Sequence, residues 1–475
     1  MDTVRVERYY LSCLAHASYL VSSAGVAAVI DPQRDVDLYL DAAARLGVTI
    51  KHVIETHLHA DFVSGHRELA ERTGASVYLG EGSGATFPHV SVKDGDVIQF
   101  GSCRLQFLQT PGHTLESVCV LMNDAGQPNR PGVLFTGDTL FIGDVGRPDL
   151  SESHTPQQLA ALLYRSLHQK LLLLPDETEI FPAHGAGSLC GRQMSADSSS
   201  TIGRERRFNY ALQARSESEF VHLLTDNLPP RPEYFARDVE LNRMGAARLS
   251  ALPALPALSP AEVLRLQAEQ AIVLDTRPPS QFGAGHVPES VHISIAGQYA
   301  SWAARILGLD ARIVIVGEDS DRVRESQMRL ARVGVENVIG YLEGGVSGWT
   351  NAGYALNSIP QIGVQNLAVM LADEAARPCV IDVREPLEVS QGAIANSISI
   401  PLGQLAARSG DLDRGRSFVV HCKSGYRSAI ATSLLRRHGV QQVANLVGGF
   451  DAWKAASLPI ALPDASATET PPIAA

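Results

Sequence analysis

At 475 residues the chain is too long for one hydrophobic core and implies roughly two to four domains. Its 45 % apolar content, mean hydropathy of zero and ordinary glycine and proline usage describe a soluble globular α/β protein. A net charge of −11 excludes a nucleic-acid coat and an anionic-membrane binder, so nucleic acid and membrane are not expected partners. No apolar run approaches a membrane span, and Met1–Tyr10 lacks the apolar core of a signal peptide. Cys13, Cys103, Cys119, Cys190, Cys379 and Cys422 are scattered with no C-x-x-C pair, which is the usage of a reducing compartment. The expected location is cytoplasmic.

In chain order, Val4–Leu11, Ser18–Ser22 and Val26–Ile30 read as strands, the third stopped by Asp31-Pro32. Val36–Leu46 reads as a helix, Lys51–Glu55 as a buried strand and Arg67–Thr73 as a helix. Between the last two lies Thr56-His57-Leu58-His59-Ala60-Asp61-Phe62. Imidazoles and a carboxylate on one strand-to-helix turn are metal ligands, or else a polar turn in which His59 or Asp61 caps the helix. Val77–Leu79, Val97–Phe100 and Arg104–Gln109 are further strands, the last running into Thr110-Pro111-Gly112-His113-Thr114. Val118–Leu121 and Val133–Phe135 follow, the latter ending in Thr136-Gly137-Asp138-Thr139. Thr155–Leu171 reads as a helix, and Glu179–Phe181 as a strand ending in Pro182-Ala183-His184-Gly185. His57, His59, Asp61, His113, Asp138 and His184 thus all follow short apolar strands, and a sheet scaffold can aim such strand-end groups at one point. Gly203–Gln213 and Glu217–Leu224 read as helices, and Leu252–Pro260 as a semi-rigid proline-containing linker.

THLHAD, TPGHT, TGDTL and PAHG, in this order and at these spacings, resemble the metallo-β-lactamase superfamily over roughly residues 1–240. The resemblance implies an αββα sandwich with metal at the edge between its sheets. The superfamily's dinuclear pattern, H-x-H-x-D-H, is broken here by Phe62, whose phenyl ring cannot ligate. That departure favours a mononuclear member, and the resemblance then points to the persulfide dioxygenases. They carry Fe(II) on two histidines and an aspartate, a facial triad with open positions. Carried over by position, the triad is His57, His113 and Asp138, with one Fe(2+) per chain, while His59, Asp61 and His184 stand behind the ligands or on the substrate side. Phe141–Arg147 resembles the dioxygenase segment whose arginine lies in the thiol-carrier pocket. Arg147 is therefore a candidate clamp for a carboxylate or phosphate of the carrier, or else a surface ion-pair arginine. Cys190, just past His184, is a candidate sulfur relay or a buried small hydrophobe.

After the linker comes a repeat. Val273–Arg277 matches Val380–Arg384, Gly285–Ile293 matches Gly392–Ile400, and Leu342–Trp349 matches Leu446–Trp453. In the second copy the buried strand Phe418–His421 runs into Cys422-Lys423-Ser424-Gly425-Tyr426-Arg427-Ser428 and the helix Ala429–His438. A thiol opening such a loop faces backbone N–H groups that stabilise a thiolate or Cys–S–S⁻, and Lys423 and Arg427 add positive charge. These residues resemble the rhodanese family, with a loop of sulfurtransferase length. Cys422 and Arg427 would be catalytic, and Lys423, Ser424, Gly425 and Tyr426 would bind substrate. The first copy has Gly317 at the Cys422 position and Arg322 at the Arg427 position, so it should be catalytically silent.

The expected architecture is a metallo-β-lactamase-like persulfide dioxygenase domain (1–250), an inactive rhodanese-like domain (251–357), an active rhodanese domain (358–460) and a disordered tail (461–475). The whole resembles bacterial persulfide dioxygenase–sulfurtransferase fusions. The resemblance implies oxidation of a low-molecular-weight persulfide, of glutathione or another thiol carrier, by O2 to sulfite and free thiol. Cys422 would pass sulfane sulfur to or from thiosulfate, and the chain would form a homo-oligomer serving sulfide detoxification. The alternatives are a glyoxalase II-like thioester hydrolase with an attached sulfurtransferase, and a non-oxidative sulfur carrier.

Overall fold

The computed structural model describes residues 3–226, 228–374 and 377–462. The chain divides into two compact units, Met1–Pro253 with Leu330–Gly334, and Ala254–Arg329 with Val335–Ala475.

Two six-stranded sheets form the first unit. In the first, Arg5–Leu11, His16–Ser23, Val26–Ile30, Thr49–Ile54, Ser76–Gly80 and Val90–Val92 lie side by side in chain order. In the second, Val97–Phe100, Cys103–Gln109, Val118–Asp124, Val133–Gly137, Glu179–Pro182 and Ser200–Thr201 do the same. Successive strand residues face opposite sides, so each sheet is apolar on both faces. Ala28 and Ile54 meet Leu105, Phe107, Val120 and Phe135 between the sheets. Val29, Val53 and Val77 point the other way, onto Tyr39 and Ala42 of the helix Asp37–Leu46 and onto Leu69. Leu134 and Ile180 face out from the second sheet onto Leu163 and Leu167 of the helix Pro156–Gln169. This is the expected αββα sandwich.

Backbone hydrogen bonds stitch the sheets at one edge. Val118 N–H donates to the Thr56 carbonyl at 2.8 Å, and Ala17 N–H to the Ala183 carbonyl at 2.7 Å. Residues 56 and 183 flank the metal-type motifs, so the edge where the sheets meet is where those motifs converge.

Each copy in the second unit is a five-stranded parallel sheet flanked by helices, and strand order is the same in both. Ile313–Val316 and Phe418–His421 take equivalent central places, so Gly317 stands in the first copy where Cys422 stands in the second. The expected fold class is what the chain adopts: an αββα sandwich followed by two α/β domains of like topology.

Three local expectations change. The expected helix Gly203–Gln213 is Ile202–Phe208 followed by a tight turn at Ala211–Gln213. Buried Asn209 breaks it, accepting from Ala211 N–H at 3.1 Å and donating to the Asp144 carbonyl at 2.9 Å. The linker does not end as free chain: Ala257–Leu258 pair with Tyr341–Leu342, and Ser259 caps the helix Pro260–Ala268 with Glu262 capping in return. Of the expected tail, Ala461 bridges Ala393, and residues 463–475 lie outside the described ones. No helix among the described residues is long and apolar enough to cross a membrane.

Gly137 ends a central strand at φ 52, and a Cβ there would lie 2.4 Å from Thr56 Oγ1. Gly137→Ala is expected to cost at least ~1–2 kcal/mol from the left-handed backbone alone. The check is calorimetry, which should show a lower Tm for the first unit.

Candidate metal centre and cysteine loop

Strand pairing places the ligands. Val26–Ile30 and Thr49–Ile54 run parallel with Ile30 opposite Ile54, which sets Asp31 beside the residues following Ile54. Asp31 turns at φ 50, a conformation that aspartate tolerates. Its carboxylate accepts from Thr56 N–H at 2.7 Å and from Thr56 Oγ1 at 2.9 Å. With its proton spent on Asp31, the Thr56 hydroxyl accepts from His57 Nδ1 at 3.0 Å. His113 Nδ1 donates to the Arg147 carbonyl at 2.9 Å. Both bonds set the tautomer and leave each Nε2 lone pair free.

These two nitrogens face Asp138. His57 Nε2 lies 3.8 Å from Asp138 Oδ2, and His113 Nε2 lies 3.4 Å from the same oxygen. None of the three atoms has a hydrogen-bond partner among the described residues, and all three side chains are buried. Ligands bonded at about 2.0–2.2 Å to one ion sit roughly 3–4 Å apart, so the donor set fits a single metal. Burial keeps His57 and His113 below the usual imidazole range and therefore in the ligating form. Burial works against the Asp138 carboxylate, but the surrounding imidazoles, His184 foremost, hold it well below the usual range.

His184 stands behind Asp138. Its Nδ1 lies 2.7 Å from Asp138 Oδ1 and its Nε2 3.0 Å from Asp61 Oδ2. Burial opposes charge on this ring, yet the two carboxylates outweigh it and raise His184 well above the usual range. His59 faces Asp31 at 3.2 Å and Glu55 at 3.4 Å, and those carboxylates likewise overcome burial and raise it. Phe62 packs between the rings of His16, at 4.1 Å, and His59, at 4.4 Å.

Two expected residues are placed in ways that bear on their roles. Arg147 directs its guanidinium inward: Nε and Nη2 donate to the Asp149 carboxylate at 2.6 and 2.8 Å, Nη1 to the Leu189 carbonyl and Nη2 to the Pro229 carbonyl. A carrier carboxylate would have to displace these partners, so its clear contact with the centre is the carbonyl that holds His113. Cys190 is buried beside Asp61 and His184, and burial with the Asp61 and Asp138 charges raises its thiol well above the usual range. That environment favours the thiol over the thiolate that a sulfur relay needs.

Asn242 was not legible in advance. It lies on the helix Tyr234–Met244, accepts from Ser64 N–H at 2.8 Å, and donates to the His59 and Phe62 carbonyls, each at 2.8 Å. One side chain thus ties down the whole ligand loop. His16, Asp31 and Thr56 were missed as well. The only available signal was a polar residue ending or opening an apolar strand.

The cysteine loop follows Phe418–His421 and leads into the helix Tyr426–Arg437. Gly425, at φ 101, turns its N–H onto Cys422 Sγ at 3.1 Å, and Ser428 Oγ lies 3.6 Å from that sulfur. Lys423 and Ser424 are exposed at the mouth. Arg427 is engaged by both oxygens of Glu388, at 2.6 and 2.7 Å. Tyr426 donates its hydroxyl to the Ser294 carbonyl of the first copy at 2.9 Å, and Ser433, on the same helix, accepts from His292 N–H at 3.0 Å. The copy without a cysteine therefore braces the loop of the copy that has one.

Residues 11–184 match the Metallo-beta-lactamase superfamily, and residues 259–352 and 364–456 each match the Rhodanese-like domain. The Hydroxyacylglutathione hydrolase of Rhodopseudomonas palustris (strain BisB18) is 33 % identical over 228 residues, which span 47 % of this chain and 80 % of that relative. The mitochondrial Persulfide dioxygenase ETHE1 of Bos taurus is 33 % identical over 213 residues, spanning 44 % of this chain and 74 % of that one. A crystal structure of a Metallo-beta-lactamase from Staphylococcus aureus subsp. aureus COL aligns with 71 % of this chain and 98 % of its own, at 31 % identity and a TM-score of 0.64. This chain belongs to the metallo-beta-lactamase superfamily. It joins a domain of that superfamily, with persulfide dioxygenases among its homologues, to two tandem rhodanese domains.

Asn242→Ala would leave buried loop groups without partners, at ~1–3 kcal/mol for each group. The expected outcome is a lower Tm together with metal content reduced after dialysis, read by elemental analysis.

Proposed function

We propose that this superfamily member is a mononuclear Fe(II) persulfide dioxygenase whose product chemistry is joined to sulfur transfer at Cys422. The observation that carries the reading is the buried trio of partnerless donors on His57, His113 and Asp138, with Phe62 where a further imidazole would be needed for a dinuclear hydrolase. Ferrous iron on this triad would leave coordination positions open and supply the electron transfer that a spin-paired thiol and triplet O2 lack by themselves.

The chain's own residues do the rest. Thr56 and the Arg147 carbonyl hold both imidazoles with Nε2 turned inward. His184 holds Asp138 by its other oxygen. Phe62, Phe141 and the buried His16 line the surroundings of the centre with rings. The balanced reaction takes a persulfide, O2 and water to a thiol, sulfite and two protons. At the loop, the Cys422 thiolate attacks the outer sulfur of a second persulfide, whose S–S bond breaks to release the carrier thiol; the resulting Cys–S–S⁻ is steadied by the Gly425 N–H and Ser428, and sulfite attack on its outer sulfur returns the Cys422 thiolate and thiosulfate. The substrate would be a persulfide of glutathione or a similar thiol, and the free, scattered cysteines suit a cytoplasmic site of action.

The test is O2 consumption by Fe(II)-loaded protein on adding glutathione persulfide, with sulfite and thiosulfate assayed together. Rapid uptake with thiosulfate as product is expected. Thioester hydrolysis without O2 uptake would overturn the reading in favour of a glyoxalase II-like hydrolase. His113→Ala should lower O2 uptake beyond the ~10–100-fold typical of lost supporting groups, while sulfur transfer from thiosulfate to cyanide survives. Cys422→Ser should still form sulfite and make no thiosulfate.

The Glu388 carboxylate offsets Arg427 at the loop. Glu388→Gln should lower the KM for dianionic thiosulfate by about 2–5-fold, the equivalent of ~0.5–1 kcal/mol for a part-exposed pair. Steady-state kinetics of the full chain measure it.

A further inference from the structure

Between the Phe62 carbonyl and the Ser64 N–H, both held by Asn242, the ligand loop carries one more buried donor, the Val63 N–H. It donates to the Arg332 carbonyl at 2.7 Å. Arg332 lies inside the span that matches the first Rhodanese-like domain, yet Leu330–Gly334 belong to the first compact unit, together with the ligand loop.

This segment is gripped from several sides. Arg332 Nε and Nη2 donate to the two oxygens of Asp35 at 2.8 and 2.9 Å, a bidentate pair in which the arginine is 7 % exposed. Buried Arg34 donates from Nη1 to the Ala331 carbonyl. Gly334, at φ 71, closes the turn by donating its N–H to the same carbonyl at 3.1 Å. Arg34 and Asp35 follow closely on Asp31, whose carboxylate holds Thr56. The stretch between them also touches the ligand loop directly. The Pro32 carbonyl accepts from Ser64 Oγ at 2.9 Å, and a Cβ on Gly65 would lie 2.3 Å from the Gln33 carbonyl oxygen. Residues 31–35, 57–66 and 330–334 thus meet in one tight junction.

We propose that Arg332 is a positioning residue of the metal centre, and that holding the ligand loop is a task of the rhodanese copy that lacks a cysteine. The role rests on the trio being a metal site and does not depend on the persulfide reaction. Between Ile54 and His66 the chain has neither strand nor helix, so its course is set by partners outside it. A bidentate arginine–carboxylate pair fixes direction as well as distance. The Arg332 carbonyl moves with its own side chain, so the grip on Asp35 sets where Val63 lies. His57 rides on this loop, whereas His113 and Asp138 follow strands of the other sheet. Loosening the clasp therefore moves one ligand against two that stay in place.

The test is titration of the metal-free full chain with Co(II) in competition with a chelator. Affinity and the ligand-field absorption spectrum are read together, with hydrogen exchange of peptides covering residues 57–66. Arg332→Gln keeps a hydrogen-bonding side chain but loses the charge and the fork. It should weaken the ion by ~10–100-fold, shift the ligand-field bands and speed exchange in the loop. Arg332→Lys restores the charge and should recover part of the affinity. Effects of Arg332→Gln and Asp35→Asn should not add, since both break the same pair. Arg72→Gln breaks an exposed pair with Asp37 in the same unit and should move none of these values. Parent affinity and an unshifted spectrum in Arg332→Gln would overturn the proposal, as would equal losses in Arg72→Gln. Should Arg332→Gln fail to fold, Asp35→Asn binding Co(II) as the parent does overturns it instead. A parent chain that takes up no Co(II) overturns the metal centre and this role together, so the two failures are distinct.

Discussion

The buried carboxylate of Asp138 is the constraint on which the centre depends. Removing a charged carboxylate from water is costly unless both oxygens find partners. One oxygen is held by His184, itself held by Asp61, and the other lies among the lone-pair nitrogens of His57 and His113, a contact that a cation between them would make favourable. These partners come from different strands in both sheets, so the charge is compensated only when the sandwich is closed. The apolar faces between the sheets, among them Ile54, Phe107, Val120 and Phe135, drive that closure. The hydrophobic core and the metal-type cluster are thus two consequences of one packing event.

The same logic explains how exacting the surroundings are. The turn carrying Gly146 runs so close that a Cβ there would meet the Asp138 carbonyl oxygen at 2.0 Å and His113 Nδ1 at 2.8 Å. The Thr56 hydroxyl holds His57 only because Asp31 takes its proton. Tautomer, ring orientation and ligand spacing therefore rest on groups that never approach a bound ion.

In the second unit, one copy carries the cysteine loop and the other braces it. Both copies keep the same sheet order and the same buried arginine–aspartate pair, Arg277 with Asp275 and Arg384 with Asp382. They differ where the central strand ends, in Gly317 against Cys422. A glycine has no sulfur to offer, but the copy that carries it still packs against the helix behind Cys422 and accepts the Tyr426 hydroxyl at Ser294. The packing surface does not need a cysteine, because strand pairing and apolar faces do not depend on that one side chain.

By itself the sequence determined the local chemistry. The strands leading into His57, His113, Asp138, His184 and Cys422 were legible because apolar runs ending in polar turns have a period of their own, independent of distant contacts. The repeat and the missing cysteine were legible for the same reason. What only the tertiary structure decided is which atom meets which. Asn242 lies some 180 residues beyond the loop it holds, and the pattern of its helix carries no mark of that task. Arg147 carries its charge inward to Asp149 while its carbonyl does the holding, and Cys190 lies against Asp61 and His184. Such pairings are set by the closing of two sheets, and a period of two or of 3.6 residues along the chain does not encode them.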